Sequence, residues 1–225
     1  TRPFHADAAL IEKHYVSKRS RRQKGMLAFL AQDAETRVFC YANGELRKDR
    51  QNDEILRFID FWKERTGRLP EELIFDSKVT TYANLSKLNQ MGIPFITLRR
   101  RTKKLLEEVA QTPLSAWRRI ELKSLSRAYR TPRVLDRQIR LRDYDGPLRQ
   151  LTIADLGHEE PTLLVTNQLT RPASPLIGRY RQRLLIANNI DHVIDSFHLD
   201  ALSSSCALQV PSHPHLPPSA LDHDR

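Results

Sequence analysis

Residues 73–101 read Leu-Ile-Phe-Asp-Ser-Lys-Val-Thr-Thr-Tyr-Ala-Asn-Leu-Ser-Lys-Leu-Asn-Gln-Met-Gly-Ile-Pro-Phe-Ile-Thr-Leu-Arg-Arg-Arg. The short apolar run from Leu73 to Phe75 predicts a buried strand that stops at a single carboxylate, Asp76. Tyr82, Leu85, Leu88 and Met91 then recur on one helical face, and Gly92 offers the left-handed stop that helices commonly use. Ile93 to Leu98 predicts the next strand, closed by three arginines. Strand, helix and strand in this order form a βαβ unit, which belongs to a sheet with parallel neighbours. Ligands on such sheets collect beyond the carboxyl ends of the strands. Asp76 is therefore a candidate metal-bound carboxylate facing a polyanion. Arg99, Arg100 and Arg101 are candidate phosphate contacts, or the solvated end of a strand.

On the N-terminal side of this unit, the apolar run 25–32 and residues 37–42 predict two strands joined by the polar turn 33–36. Asn43-Gly44 reads as a further turn. Residues 53–65 predict a helix whose stripe is Ile55, Phe58, Ile59 and Trp62, capped by Asn52 or Asp53 and ended by Gly67 and Pro70. Trp62 reads as a core residue on that stripe. Residues 1–24 are rich in cations, with Lys18, Arg19, Arg21 and Arg22 as candidate DNA contacts. A solvated loop is the equal alternative for that segment.

On the C-terminal side, residues 99–112 predict a basic start and a brief amphipathic helix. Helical periodicity then fades. Alternation in Ile120-Glu-Leu-Lys, Val134-Leu-Asp-Arg-Gln-Ile-Arg-Leu-Arg and Leu148-Arg-Gln-Leu-Thr-Ile, with the short apolar strand Thr162-Leu-Leu-Val-Thr, predicts a β-rich insertion over 113–170 with one polar, basic face. Pro172 and Pro175 mark a break, and residues 176–195 predict a helix with Tyr180, Arg183, Ala187, Asp191 and Ile194 on one stripe. The Pro- and His-rich residues 206–225 predict a disordered tail, in which His213 and His215 read as solvated rather than as metal ligands.

The whole chain bounds the reading. Its 225 residues suffice for one large or two modest domains. Thirty-seven Lys and Arg against 27 Asp and Glu give a net charge of +10, which favours an anionic partner, nucleic acid first. Two cysteines, Cys40 and Cys206, offer neither a disulfide framework nor a zinc spacing and predict a reducing compartment. No run reaches the ~18 apolar residues of a membrane span, and no apolar segment follows the N-terminus as in a signal peptide.

If one strand preceded the predicted hairpin, the element order would be that of an RNase H-like α/β core. Three stretches carry a more specific resemblance: Leu73 through Leu85 with Asp76, the strand Ile93 to Leu98 with its arginines, and Thr166-Asn167 followed by Tyr180-Arg-Gln-Arg183-Leu-Leu-Ile-Ala187-Asn. Together, in this order and with a β insertion between them, they resemble the catalytic domain of cut-and-paste DDE transposases of bacterial insertion sequences. The resemblance covers about residues 1–205, with 1–112 as the first part of the core and 171–205 as the signature helix returning to it. It implies double-stranded DNA as partner, another transposase subunit, no membrane, a nucleoid-associated cytoplasmic location, and Mg²⁺ as cofactor. It makes Asp76 the second metal carboxylate, with Tyr180 and Arg183 as catalytic residues positioning DNA.

Two departures qualify it. The family's first Asp belongs on a strand ahead of the hairpin, where this chain offers only Asp7 and Asp33, neither at the end of an apolar run. Ala187 stands where the family's helix carries Glu, and Ile194 where a second basic residue is expected. Asp191 lies one turn further along, ~6 Å by helix rise, with a shorter side chain than Glu. The expectation is thus a transposase copy defective in catalysis, with a non-catalytic DNA-binding remnant or modulator of an intact transposase as the alternative.

Overall fold

The computed structural model describes residues 12–16, 21–25, 27–122, 130–156 and 159–183. Contacts divide the chain into two units, Thr1–Arg47 with Ile194–Arg225, and Lys48–Val193. The predicted tail, residues 206–225, lies outside the described residues, as does the predicted helix beyond Arg183.

In the first unit the described parts of the basic N-terminal segment are strands. β1 (Glu12–Val16) and β2 (Arg21–Gly25) pair antiparallel, with Lys13 opposite Lys24 and Val16 opposite Arg21. β3 (Leu27–Gln32) and β4 (Phe39–Leu46) form the predicted hairpin as a separate two-stranded sheet. Its turn is built on Asp33, whose Oδ1 accepts from the amides of Glu35 (3.1 Å) and Thr36 (2.7 Å) and from the Thr36 hydroxyl (2.8 Å). Asn43-Gly44 is not a turn. β4 runs through it, and the register slips there: Phe29 pairs Asn43, and Leu27 pairs Leu46. The extra residue makes a bulge, a place where a strand accepts Gly, and the Asn43 side chain accepts from the Glu45 amide at 3.0 Å.

The second unit begins with α1 (Glu54–Thr66), which buries Ile55, Phe58 and Ile59 and ends at Gly67 in the left-handed region, φ 71°. Asp53 is its N-cap without a side-chain cap; its carboxylate accepts instead from the Asn84 amide at 2.9 Å. β5 (Leu73–Phe75) and α2 (Tyr82–Gln90) follow, and the Thr81 hydroxyl caps α2 on the Asn84 amide. Leu85 and Leu88 are buried as predicted, but Met91 is 43% exposed. Met91 lies one residue past the helix, where the chain turns into the left-handed Gly92, so the helical stripe no longer governs it. In the N-terminal half of α2 two buried positions are polar: the Asn84 side chain donates to the Asn52 carbonyl, and the Ser86 hydroxyl accepts from the Asp145 amide.

β6 (Phe95–Leu98), α3 (Lys103–Ala110), β7 (Arg118–Arg119), β8 (Arg133–Ile139), β9 (Leu148–Ala154) and β10 (Thr162–Thr166) complete the ordered elements before a last helix, α4, described over residues 173–183. One six-stranded sheet runs β5-β6-β10-β9-β8-β7. β5 and β6 are parallel, and the remaining neighbours are antiparallel. The fold is mixed α/β. The predicted insertion strands are continuous with the sheet of the βαβ unit through the β6–β10 pair.

Both faces of this sheet are covered. Leu164, Leu151, Ile153, Val134 and Ile96 pack with Leu176, Ile177 and Tyr180 of α4. Leu163, on the opposite face of β10, packs with Leu105 and Val109 of α3. The polar, basic face expected of the insertion is therefore absent from β9, which is buried from Leu148 through Ile153. Its polar side chains are paired inside: Arg149 on Asp136, and Gln150 on the Thr152 hydroxyl. α4 starts at Ala173, earlier than predicted, because Pro175 sits in its first turn, where a missing N–H leaves no helical bond unmade. Among the described residues, no helix is long and apolar enough to cross a membrane.

Candidate functional site

Asp76 follows β5 with extended backbone, φ −79° and ψ 145°, and serves as N-cap of the 3-10 turn Ser77–Val79. Its Oδ1 accepts from the Lys78 amide at 3.2 Å and the Ser77 hydroxyl at 3.4 Å. Phe75 pairs with Thr97 in the parallel register of β5 and β6, so Asp76 and the three arginines after Leu98 leave the sheet at the same end. The antiparallel registers bring Arg133 and Ala154 to that end too, since Thr162 pairs Ile153 and Ala154 pairs Arg133.

α4 approaches this end over the sheet. Its apolar side, Leu176, Ile177 and Tyr180, is buried against Ile96, Leu151 and Leu164. That packing leaves Arg183, one turn beyond Tyr180, beside the end of β5. Arg183 Nη2 donates to Asp76 Oδ2 at 3.0 Å, and Nη1 donates to the Tyr180 hydroxyl at 3.0 Å. The guanidinium carbon also lies 5.7 Å from the centroid of the Tyr180 ring, a cation–π distance. Tyr180 is 6% exposed, and burial pushes its phenol up, with Arg183 opposing and Asp76 adding. Asp76 and Arg183 stay partly open, with side chains 38% and 24% exposed. The three residues predicted as catalytic thus form one cluster.

The predicted DNA contacts divide. Arg99 is tied into the sheet: its amide donates to the Leu163 carbonyl at 2.8 Å and its Nη1 to Gln150 Oε1 at 2.5 Å. Arg101 pairs with Glu160 at 2.8 Å. Arg100 is exposed, and no acid among the described residues pairs with it. Arg22 is exposed on β2, and Arg21 pairs with Val16. Lys18 and Arg19 lie outside the described residues, as do Asp7, Ala187, Asp191 and Ile194. Asp33 is occupied with its hairpin turn, and the Thr36 amide and hydroxyl hold its carboxyl below the usual range.

Sequence reading missed Glu72. Its side chain is 9% exposed and accepts from Gln168 Nε2 (2.9 Å), Arg171 Nη1 (2.9 Å) and Arg179 Nε (2.7 Å). The signal was present in two periodicities. Glu72, Ile74 and Asp76 alternate along β5 and its flanks, and Arg179 and Arg183 are spaced i, i+4 on α4. Strand and helix therefore carry two matched rungs, Glu72 with Arg179 and Asp76 with Arg183. Asn167, named in the resemblance, has a scaffold role. Its Oδ1 accepts from the Phe95 amide at 3.0 Å and its Nδ2 donates to the Ile93 carbonyl at 3.0 Å, which extends the β6–β10 pairing by a side chain.

Among the described residues, the donors around Asp76 do not make up a ligand set for a divalent metal ion. No group of three His, Cys, Asp or Glu side chains that could hold one occurs among the described residues. Asp76 is a single carboxylate with both oxygens engaged, one by the turn and one by Arg183. What the cluster can do is present a guanidinium, aimed by a carboxylate and an aromatic ring, at an exposed sheet end. The chain matches no protein-family model, and a search of curated proteins returns no match either.

Proposed function

We propose that this chain is a DNA-binding domain of the DDE transposase type, with an RNase H-like sheet, that engages the phosphate backbone without catalysing strand cleavage or joining. The observation that carries the reading is the Arg183–Asp76 contact at 3.0 Å, across 107 residues of sequence. The resemblance requires the helix bearing Tyr180 and Arg183 to come back to the strand that ends in Asp76, and no local periodicity forces that meeting.

The rim of the sheet supports a phosphate track. Arg183, Lys78 and Arg100 stand near its β5–β6 corner, and Arg133 and Arg119 stand on β8 and β7. β5 and β8 are four strand steps apart in the order β5-β6-β10-β9-β8. At ~4.8 Å per step that is ~19 Å, about the length of five or six nucleotides of duplex at ~3.4 Å each. Acids interrupt the rim at Glu160 and Asp155, which pair with Arg101 and Arg133. The net charge of +10 supplies the long-range attraction.

In this role Arg183 holds a phosphate, Asp76 and Tyr180 orient the guanidinium, and α4 supplies the rigid support. Mg²⁺, when present in relatives of this type, polarises phosphorus–oxygen bonds. The residues described here do not form its ligand set, so no step is assigned to it. The partner is double-stranded DNA of the nucleoid, and the biological role is that of a binding remnant or a modulator of an intact transposase subunit.

The test is fluorescence anisotropy of a labelled duplex across a salt series, run beside a strand-cleavage and strand-transfer assay in Mg²⁺. Binding weakens log-linearly with salt, and Arg100→Ala lowers the slope by about 0.9, one phosphate contact. Neither cleaved nor joined product forms. Salt-independent or absent binding removes the DNA-binding reading; product formation removes its non-catalytic part.

A further inference from the structure

β7 is the last strand of the six-stranded sheet, at the edge opposite β5. Beside it lies an open groove of about 660 Å³, lined among the described residues by Leu114, Trp117, Arg119, Arg133 and Asp155. That volume falls within the range of ligand sites. Its floor is apolar: Trp117 packs on Leu105, Val109 and Leu163, and Leu114 is 72% exposed in the 3-10 turn before the strand. Arg133 lies over the Trp117 ring at 5.7 Å and gives Nε and Nη2 to Asp155, which leaves its Nη1 for a ligand. Arg119 spends one donor on the Thr131 carbonyl. The main chain is open as well. The Ile120 amide donates to the Pro132 carbonyl, and Arg119 stands opposite Arg133. By the alternation of an antiparallel ladder, the Arg119 N–H and C=O then point away from β8, to the free edge. Two residues on, the Ser174 hydroxyl closes that edge by donating to the Glu121 carbonyl.

We infer that this edge is a docking site for an extended peptide carrying an apolar and an acidic residue two positions apart, with one main-chain pair made at Arg119. Trp117 has extended backbone, so Trp117 and Arg119 share one face of the strand. A strand added alongside also shows alternate side chains on one face. Its positions i and i+2 therefore meet Trp117 and Arg119. The apolar side chain covers Leu114 and Trp117, and the carboxylate takes the free donors of Arg119 and Arg133. Charge is complementary, since two guanidiniums face one carboxylate, Asp155, in the empty groove. Duplex DNA suits the groove less. Asp155 opposes a phosphate chain there, and a phosphate chain uses neither an exposed Leu114 nor an open strand edge. The inference needs neither Arg183 nor Asp76 and stands apart from the DNA-binding reading.

The experiment titrates the full chain, without DNA, into a short fluorescein-labelled peptide with leucine and glutamate two positions apart and serine elsewhere, and reads anisotropy. The peptide binds with a Kd of about 100 μM or lower. Replacing its leucine by serine, or moving its glutamate next to the leucine, weakens binding at least about fivefold, because one of the two side chains then misses the groove. These comparisons use the wild-type chain and need no variant to fold. Leu114→Ser, at an exposed turn, weakens the peptide about threefold and leaves duplex binding unchanged. Arg119→Ala weakens the peptide by about fivefold, the scale of one charge-assisted contact near the surface. Hydrogen exchange at the Arg119 amide slows when the peptide saturates the chain. Equal binding of the leucine-free peptide overturns the inference in favour of charge attraction alone. Leu114→Ser weakening the duplex and not the peptide overturns it and gives the groove to DNA. No peptide binding up to about 1 mM overturns it as well, and the DNA-binding reading stands.

Discussion

At one end of β5 the Glu72 side chain is 9% exposed and receives Gln168, Arg171 and Arg179; at the other end Asp76 is 38% exposed and receives one arginine, Arg183. Both ends meet α4, four residues apart on the strand side and four apart on the helix side. The chemistry is the same carboxylate–guanidinium pair, and the surroundings differ. At the Glu72 end both carboxylate oxygens are occupied by side-chain donors, and neighbouring groups continue the network. Arg149 reaches the carbonyls of Gln168 and Arg171 while pairing with Asp136. At the Asp76 end the guanidinium keeps free donors and faces solvent. An ion pair whose carboxylate is saturated and nearly buried holds the helix in place. One that is open at an exposed sheet end can exchange partners with a ligand.

The strongest way to break this comparison is Glu72→Gln. It leaves Arg171 and Arg179, themselves partly exposed, facing a neutral amide at the nearly buried position 72, and the expected cost is about 2–3 kcal/mol, read by urea unfolding. A cost no larger than that of Asp76→Asn would show that the two ends are equivalent.

Acid sharpens the same contrast with a somewhat smaller effect. The bidentate hydrogen bonds from Arg149 hold the Asp136 carboxyl below the ordinary 3.8, with burial opposing and Arg118 assisting. A depressed folded value means that the stabilisation is fully present above 3.8 and is lost as pH falls from there through the folded value. Unfolding of wild type therefore steepens below that point, and Asp136→Asn loses about 2 kcal/mol at neutral pH and the steepening with it. An unchanged acid profile in the variant would remove Asp136 from the network.

The smallest effect belongs to the open rung. Asp76→Asn costs under about 1 kcal/mol of stability, because the pair is partly exposed and Asn keeps the turn acceptor. A loss as large as that of Glu72→Gln would make Asp76 a structural residue and leave its role at the phosphate site without support.

Much of the βαβ unit was legible because its signals are local. An apolar triplet, a 3.6-residue stripe and a glycine at the helix end each act over one or two turns, and β5, α2 and β6 follow from them. Asn43-Gly44 misled because the same two residues serve a turn or a bulge, and the partner strand decides between them. β9 misled for a related reason: alternation shows that Arg149, Gln150 and Thr152 interrupt an apolar pattern, but not that α3 and α4 cover both sheet faces. Glu72 escaped because its alternation with Asp76 and the i, i+4 spacing of Arg179 and Arg183 form one signal only once β5 and α4 are known to meet, and its three donors arrive from residues 168, 171 and 179.

The sequence by itself determined the β3–β4 hairpin, α1, the βαβ unit with Asp76 at a strand end, and the excess positive charge, since each depends on neighbours along the chain or on composition. Tertiary structure alone decided that the insertion strands join the sheet of the βαβ unit, that Glu72 is saturated, and that Arg183 meets Asp76 across 107 residues. Those outcomes depend on strand order and on which face of α4 is apolar enough to be buried, and neither is expressed in any short window of residues.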